Sequence, residues 1–584
     1  MHRRFGPLVR DEGVAFRLWA PGAKRVDVVL DRAIAMTGQA GGWYTAQVAE
    51  AAAGDRYKFR IDDDLNVPDP ASAFQPEDIA GPSEVVDHGA YPWRSVAWRG
   101  RPWHEAVILE AHVGTFTAEG TFRSAIDKLD HLVETGITAL ELMPLADFAG
   151  QRNWGYDGVL WCAPDSTYGR PEDLKALVDA AHERGLMVFL DVVYNHFGPE
   201  GNYLGRYAPE FFTEAQTPWG SVIDFSKTEV RAFAVENAVG WLRDYRFDGL
   251  RLDAIHAIVE PGKRAMLHDL SVAAGELAET TGRHIHLVLE NDDNTVEMLD
   301  PAEAIPRGKY RAQWNDDYHH AWHVLLTSET HSYYRDYEVS PLEHIARSLD
   351  SGFVYQGEPS EHRHGKPRGE PSGAQPPLAF INFLQNHDQI GNRALGDRLA
   401  ENVVPEALQA ALAITLLAPT IPMLFMGEEW GSARPFPFFC DFKGDLAEAV
   451  RSGRRAEFAD TYATYGHEIP DAMDETTFRM AVIDWRCRDT ESGKQRLNFV
   501  RELLDIRRRK IIPRLVGTKF GMAQVTTPGL LSANWTMGDG QSLSLAANLS
   551  GQNIPARGSG DGTLIWGYEF TAGLPPWTVS WRIK

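Results

Sequence analysis

The sequence predicts an α/β protein built on a (β/α)8 TIM barrel, with a β-sandwich before it and a β-domain after it. The first hundred residues consist of short alternating segments such as "GVAFRLWAP" and "DRYKFRID", separated by turn residues. From Ala106, apolar strands alternate with amphipathic helices, which is typical of parallel strands joined by crossover helices. Short β segments return from about Arg514. We therefore predict three domains, at 1–95, 96–513 and 514–584.

The middle domain contains eight candidate strands, the number that closes a barrel. In order they are "AVILEAHVGTF", "ITALELMPL", "LMVFLDVVYNHF", "FDGLRLDAI", "HIHLVLEND", a weaker strand near "YRAQWNDDYH", "LAFINFLQNHDQ" and "IPMLFMGEEWG". Such barrels carry their active sites at the C-terminal ends of the strands. The segment at about 198–227, after the third strand, is predicted to be a non-helical insertion on that functional face.

Composition narrows the class of ligand. The chain has 58 Lys and Arg against 81 Asp and Glu, a net charge of −23, which opposes nucleic acid and anionic membranes as partners. Its three cysteines form no CxxC pair, so we expect neither a disulfide framework nor a zinc site, and we expect a cytoplasmic setting. The sequence contains no run of about 18 apolar residues, so we expect no membrane-spanning helix. A neutral polar ligand fits these properties best.

Ionisable residues follow several of the predicted strands. Arg251 and Asp253 are two residues apart in a strand, so their side chains share a face, and the arginine should keep the carboxyl ionised. Glu290 follows the apolar "HLVL", where burial should raise its pKa. An ionised carboxylate beside a protonated one, without metal-ligand spacing, is typical of glycoside hydrolysis. Each of these ionisable residues alone could have a purely structural role, such as an ion pair. Their occurrence together at the strand ends predicts a catalytic site.

Four motifs carry a resemblance to a known family. "DVVYNH", "LRLDAIHAI", "LVLEND" and "FLQNHDQIGNR" resemble, in order, the four sequence regions of the α-amylase superfamily of glycoside hydrolases. The resemblance implies that Asp253 is the nucleophile, Glu290 the acid/base and Asp388 the residue that stabilises the transition state. It further implies that sugar is bound by Tyr156 (in "NWGYDG"), His196, Arg251, His256, His387 and Asn392.

A narrower resemblance concerns the substrate. "DVVYNHFGPEGNYL", "QWNDDYHHA" and "MLFMGEEWG" are similar to the trehalose-releasing hydrolases of that superfamily. This implies a retaining enzyme of trehalose biosynthesis that cleaves the α-1,4 bond next to the terminal trehalose of maltooligosyl trehalose, after a synthase has made that substrate. It also implies a carbohydrate-binding-module-like N-terminal sandwich. The expected substrate contacts at the sixth strand are Asn315, Asp316, Asp317, Tyr318 and His319.

Alternatives remain open at this stage. "NDDYH" is also readable as a polar turn before a helix, and Gly427–Gly431 as a solvated turn rather than a substrate loop. The long loop Gln356–Pro377 is expected to form, with these two segments, the subsites beyond the cleaved bond. Glycogen branching or debranching enzymes share the sandwich and the barrel, and a barrel without catalysis would be a binding subunit. The histidines of "HHAWH" are interpreted as solvated, and Asn195 lacks the further oxygen ligands that calcium requires, so neither a metal nor a cofactor is predicted.

Overall fold

The computed structural model describes residues 3–217, 220–259, 265–301, 307–457, 469–555 and 561–584. Its N-terminal part consists of two antiparallel sheets, as the alternating pattern predicts. Apolar side chains such as Val14, Phe16 and Phe59 are buried between them. One sheet has the order Leu8–Arg10, Gly13–Trp19, Trp43–Val48, Thr37–Gly38, and the other Ala33–Ala35, Val26–Val29, Arg56–Ile61, Leu65–Val67, with Ser83–Glu84 added to Arg56–Ile61.

Eight parallel strands form a closed barrel, which confirms the predicted fold. The ring closes where Ile108 of the first strand pairs with Met423 of the last. Every residue of these eight strands is buried, because helices cover the outside and side chains fill the inside. The strands are β1 (Ile108–Ala111), β2 (Ala139–Leu142), β3 (Met187–Val192), β4 (Gly249–Leu252), β5 (His286–Leu289), β6 (Ala312–Trp314), β7 (Phe380–Asn382) and β8 (Ile421–Phe425).

Helices connect the strands on the outside of the barrel. Pro171 opens one of them at its first position, and the Asp173 side chain accepts a hydrogen bond from the backbone N of Arg170 (3.0 Å), which caps that helix. The principal helices are Phe122–Ile126, Leu129–Thr135, Pro171–Glu183, Thr228–Asp244, Ala265–Thr281, Asp316–Thr327, Pro341–Ser351, Pro405–Leu417, Gly444–Glu457, Glu475–Ala481 and Glu491–Ile506.

The insertion after β3 differs from its prediction. It contains a one-turn helix, Leu204–Tyr207, and a β-hairpin of Phe212–Thr217 and Gly220–Ile223, with residues 218–219 outside the described part of the chain. The expectation of a wholly non-helical piece was therefore wrong. The hairpin strands are short and polar, with no periodicity from which they could have been predicted.

The C-terminal part is a five-stranded antiparallel sheet, as predicted. Trp535 and Trp581 stack in its core with ring centroids 5.6 Å apart, and the Trp535 indole donates to the carbonyl of Leu349 (3.0 Å), which fastens the sheet to a barrel helix. The sheet order is Ala523–Thr527, Leu530–Thr536, Ser542–Asn548, Thr578–Ile583, Thr563–Gly567. The domain boundaries near 95 and 513 stay predictions. Among the described residues, no helix combines the length and the hydropathy needed to cross a bilayer.

Candidate active site

The strand ends bring the motif residues together. Backbone pairing continues one residue beyond β4 and β5, since the N–H of Asp253 donates to Val192 O and that of Glu290 to Leu252 O, both at 3.0 Å. These two carboxyls are therefore anchored by the barrel's own hydrogen bonds. After β7, the side chain of Asn386 caps a short helix, His387–Gly391, by accepting from Gln389 N (3.0 Å). This cap places His387 and Asp388 in the first helical turn at the mouth of the barrel.

Arg251 lies at the centre of the site. It is fully buried, and its Nη1 lies 2.6 Å from Asp191 Oδ2 and 2.9 Å from Asp253 Oδ1, while Nη2 lies 2.8 Å from Glu290 Oε2. Its guanidinium also sits 4.0 Å from the ring centroid of Trp314. Burial opposes its charge, but the carboxylates outweigh burial and hold the pKa of Arg251 well above its usual range. The permanently charged Arg251 guanidinium therefore pairs with three carboxyl groups.

Asp253 has the electrostatics of an ionised carboxylate. Burial raises its pKa, yet the charge of Arg251 and a hydrogen bond from Asn195 Nδ2 to Asp253 Oδ2 (2.8 Å) outweigh burial. His196 and the neighbouring Glu290 carboxyl lower this pKa further. The pKa of Asp253 is therefore below its usual value, and the group remains charged over the whole neutral range.

Glu290 has the opposite electrostatics. Burial raises its pKa well above the usual value, Arg251 lowers it, and the neighbouring Asp253 and Asp388 raise it further. Its Oε2 accepts a hydrogen bond from the backbone N of Ala254 (2.7 Å). Ala254 reaches it through a left-handed conformation, φ 39°, which is uncommon for a residue with a side chain. The two carboxyls thus share one arginine but hold different protonation states.

Aromatic and imidazole rings form one side of the site. The Tyr156 hydroxyl donates to Asp191 Oδ2 (2.6 Å), and its ring stacks on His387 with centroids 5.0 Å apart and planes at 21°. Nε2 of His196 donates to the Tyr156 carbonyl (2.9 Å). Asp388 is 38% exposed, and its Oδ1 accepts from Asn392 Nδ2 at 3.4 Å. The structure therefore groups Tyr156, His196 and His387 with the three predicted catalytic acids.

A cleft of about 750 Å³ opens beside these acids. His256, Asp316 and Asn392 lie on it, as the motifs predict. Burial raises the pKa of Asp316 to about 7, with a further contribution from the nearby Asp292 carboxylate. Its remaining lining residues are Glu290, Asp292, His320, Tyr333, Asp336, Ser360, His362, Arg363, Arg368, Asp388 and Gln389.

Four of the five residues predicted at the sixth strand do not line this cleft. Asn315 is buried and caps the helix Asp316–Thr327, and its amide nitrogen donates to Asn382 Oδ1 (2.9 Å). Asp317 accepts from Val354 N (2.7 Å) and Tyr355 N (2.8 Å) and pairs with Arg368 (2.9 Å). The expectation of direct substrate contact is corrected for Asn315, Asp317, Tyr318 and His319, which are all buried with their polar atoms bonded inside the protein.

Two other expectations about exposed groups were wrong. Glu428 and Glu429 of "GEEWG" are buried, and Glu429 pairs with His131 (3.2 Å), so this loop is not part of the cleft. His319, His320 and His323 lie on a helix and are buried rather than solvated. No group of three or more His, Cys, Asp or Glu side chains in the described parts of the chain is arranged to hold a metal ion.

Sequence reasoning missed several residues of this site. Asp191 shares Arg251 with the catalytic pair, because parallel pairing sets it beside that arginine. Glu110 on β1 accepts a 3.0 Å hydrogen bond from the His387 backbone N. Both are single acids inside apolar strands, and that pattern was the available signal. Trp314 and the backbone N–H of Ala254 offered none, since their roles depend on geometry alone.

Comparisons with known proteins agree with this geometry. The alpha amylase catalytic domain matches residues 100–210, and carbohydrate-binding module 48 (isoamylase N-terminal domain) matches residues 4–71. A solved crystal structure from Salmonella typhimurium, described as an alpha amylase candidate, is 44% identical, with a TM-score of 0.95 and 100% coverage of both chains.

Curated relatives identify a narrower group. A malto-oligosyltrehalose trehalohydrolase of Deinococcus radiodurans is 42% identical over 509 residues, covering 86% of this chain and 82% of its own. One from Saccharolobus solfataricus is 39% identical over 514 residues, covering 86% and 87%. With the glycoside-hydrolase geometry at the strand ends, this similarity shows that the chain belongs to the malto-oligosyltrehalose trehalohydrolase family within the α-amylase superfamily.

Proposed function

We propose that this chain is a retaining glycoside hydrolase that cleaves the α-1,4 bond next to the terminal trehalose of maltooligosyl trehalose. The products are trehalose and a maltooligosaccharide. The observation that carries the proposal is the opposite protonation of Asp253 and Glu290 around one buried arginine. Hydrolysis with a covalent intermediate requires this combination of an ionised nucleophile and a protonated acid.

In the first step, the Asp253 carboxylate attacks the anomeric carbon, and Glu290 donates its proton to the departing oxygen of the trehalose unit. The strong ion pair with Arg251 and the Asn195 hydrogen bond hold the Asp253 carboxylate in place for attack. Glu290 is anchored through Oε2, which accepts from Ala254 N, so its other oxygen is available to carry the proton. Trehalose then leaves into the cleft.

In the second step, Glu290 is a carboxylate and takes a proton from water as the water attacks the glycosyl ester of Asp253. Retention is supported by the shared contact with Arg251, because its two terminal nitrogens lie 2.9 Å from Asp253 Oδ1 and 2.8 Å from Glu290 Oε2, which keeps the two carboxyls close together. Inverting enzymes separate theirs by roughly 6.5–9.5 Å to admit a water between them. Asp388 and His387 at the mouth of the barrel are proposed to bind hydroxyls of the sugar that carries the positive charge.

The setting of the reaction is part of the proposal. The substrate has a non-reducing trehalose end, so a synthase that converts the reducing end of a maltooligosaccharide must act first in trehalose biosynthesis. We propose a cytoplasmic location, which the three unpaired cysteines support. No cofactor, nucleic acid or membrane enters the proposed reaction.

The test is a product analysis. Maltotriosyl trehalose is incubated with the enzyme, and the products are separated by chromatography while the anomeric configuration of the new reducing end is followed by ¹H NMR. We expect trehalose and maltotriose in equal amounts, with α-maltotriose formed first. A branched glucan or a linear chain without trehalose would instead assign the protein to the branching or debranching enzymes, and β-maltotriose would contradict retention.

A further inference from the structure

His387 is held from two sides at the mouth of the barrel. Glu110 on β1 bridges it, because one carboxylate oxygen contacts the ring Nδ1 and the other accepts from the His387 backbone N at 3.0 Å. Tyr156 stacks on the opposite side, with the two rings nearly parallel. Glu110 and His387 are both 1% exposed, so this contact is shielded from water.

The second ring nitrogen of His387 also faces a carboxylate. Nε2 lies 3.5 Å from Asp388 Oδ1, the residue proposed to bind sugar hydroxyls. An imidazole can donate to carboxylates through both nitrogens only when both carry protons. The contacts on the two sides of the ring therefore favour the imidazolium form of His387.

We propose that Glu110 is a positioning residue that keeps His387 as a cation, so that its Nε2–H donates to the sugar hydroxyl held with Asp388. A charged donor gives a shorter and stronger hydrogen bond than neutral imidazole does. The identity of the bound sugar rests on the proposed function. The positive charge of His387 is inferred from the contacts of its ring and does not depend on that function. Glu110 would act on the reaction only through His387.

The other ionisable groups around His387 do not provide this counter-charge. Arg251 opposes the cation, and burial lowers the pKa of His112 to about 4, which leaves His112 neutral. Glu141 on β2 is 1% exposed and has no hydrogen-bond partner for either oxygen within the described residues. Burial and the neighbouring Glu110 raise its pKa well above the usual value, so it is neutral. Burial lowers the pKa of His387, but Glu110 and then Asp388 raise it to about 9.

The test replaces Glu110 by glutamine, which has the same shape and no charge. The deficit in kcat/KM of Glu110→Gln relative to the wild type should be at least about tenfold larger at pH 7.5 than at pH 5.5, because His387 then loses its proton near or below its ordinary pKa of about 6.5. Glu141→Gln is the matched control, since it removes a buried carboxyl on the neighbouring strand that forms no hydrogen bond or ion pair with His387 among the described residues. Its pH profile should follow that of the wild type.

A second measurement needs no substrate. In wild-type enzyme labelled at histidine ¹³Cε1, the His387 signal, assigned by its loss in His387→Gln, should keep its imidazolium position up to about pH 8. A wild-type His387 that titrates below about pH 7 would overturn the proposal. So would a Glu110→Gln enzyme whose activity is reduced equally at every pH. If trehalose is not released, the proposed function fails while the NMR titration still decides the charge of His387.

Discussion

The floor and the wall of the cleft contain the same kinds of residue in different surroundings. The floor consists of Asp191, Arg251, Asp253 and Glu290 at the strand ends, and its arginine is fully buried. The wall includes Asp292, Asp316, Arg363 and Arg368, and both arginines pair with Asp292, whose side chain is 50% exposed. Water therefore screens the Arg363–Asp292 pair, whereas the arginine of the floor has no exposed surface.

This difference indicates that bond cleavage and substrate preference depend on different parts of the cleft. On the floor, burial raises the pKa of Glu290, whereas Arg251 and the Asn195 hydrogen bond outweigh burial at Asp253, so the two pKa values shift in opposite directions, which the reaction needs. In the wall, partly exposed ion pairs hold polar groups along the cleft. We therefore expect floor substitutions to abolish turnover and wall substitutions to change substrate preference or stability.

The largest effect is expected for the nucleophile. Asp253→Asn keeps the shape of the side chain but removes the group that forms the covalent intermediate, so kcat should fall on the order of 10⁴-fold, about 5.5 kcal/mol of barrier. Steady-state assays on maltotriosyl trehalose measure the loss, and a thermal melt within a few degrees of the wild type shows that the fold is intact. Retention of a tenth of the activity would exclude Asp253 as the nucleophile.

The next effect concerns the acid. Activity should fall as the pH drops through the lowered pKa of Asp253, and fall again as the pH rises through the raised pKa of Glu290, giving a bell-shaped profile. Glu290→Gln should lose the alkaline limb together with most turnover. A maltosyl fluoride, whose leaving group needs no proton, should restore the glycosylation step in this variant. Equal impairment with the fluoride and with the natural substrate would rule out the acid role.

A buried residue behind the wall should show a stability effect. Asp317 is fully buried, and its removal leaves Arg368 with one buried counter-ion fewer. Asp317→Ala should therefore lower the free energy of unfolding by roughly 3–5 kcal/mol, as expected when a buried pair is broken. Denaturant unfolding followed by fluorescence measures this. An unchanged transition midpoint would mean that Asp317 does not hold the wall.

The smallest effect is expected for an exposed wall pair. Arg363→Ala breaks the contacts with Asp292 and Asp293, which are half-exposed, so kcat/KM for maltotriosyl trehalose should fall by no more than about fivefold, or ~1 kcal/mol. Arg335→Ala is the control, since Arg335 is exposed and is not among the cleft residues. Its side chain donates, within the described part of the chain, to the Ser332 carbonyl alone. A hundredfold loss for Arg363→Ala would show that Arg363 contacts the reacting sugar.

The floor was predictable from sequence to a larger extent than the wall. Apolar segments predicted seven of the eight strands, and the sixth was predicted from a weaker pattern. Asp253 and Glu290 stand directly after two of these strands. Asp191 was missed because its contact with Arg251 depends on the pairing of β3 with β4, a relation between residues 60 positions apart. Local spacing carries no information on such a pairing.

The wall was mispredicted for a geometrical reason. We read "NDDYH" as a loop, but Asn315 is an N-cap and the helix starts at Asp316, so successive side chains point in different directions. Asp316 faces the cleft, whereas Asp317 and the following two residues turn into the core. A polar run at a strand end thus identified the right place but not the right residues.

The most direct test of the division between floor and wall is a ratio of specificity constants. In the wild type, kcat/KM for maltotriosyl trehalose should exceed that for maltopentaose by at least roughly tenfold, or about 1.4 kcal/mol. Asp316→Ala should reduce this ratio more than it lowers the maltopentaose rate, whereas Asp445→Ala, an exposed aspartate outside the cleft, should change neither. Equal rates on the two substrates in the wild type, without free trehalose, would contradict the account.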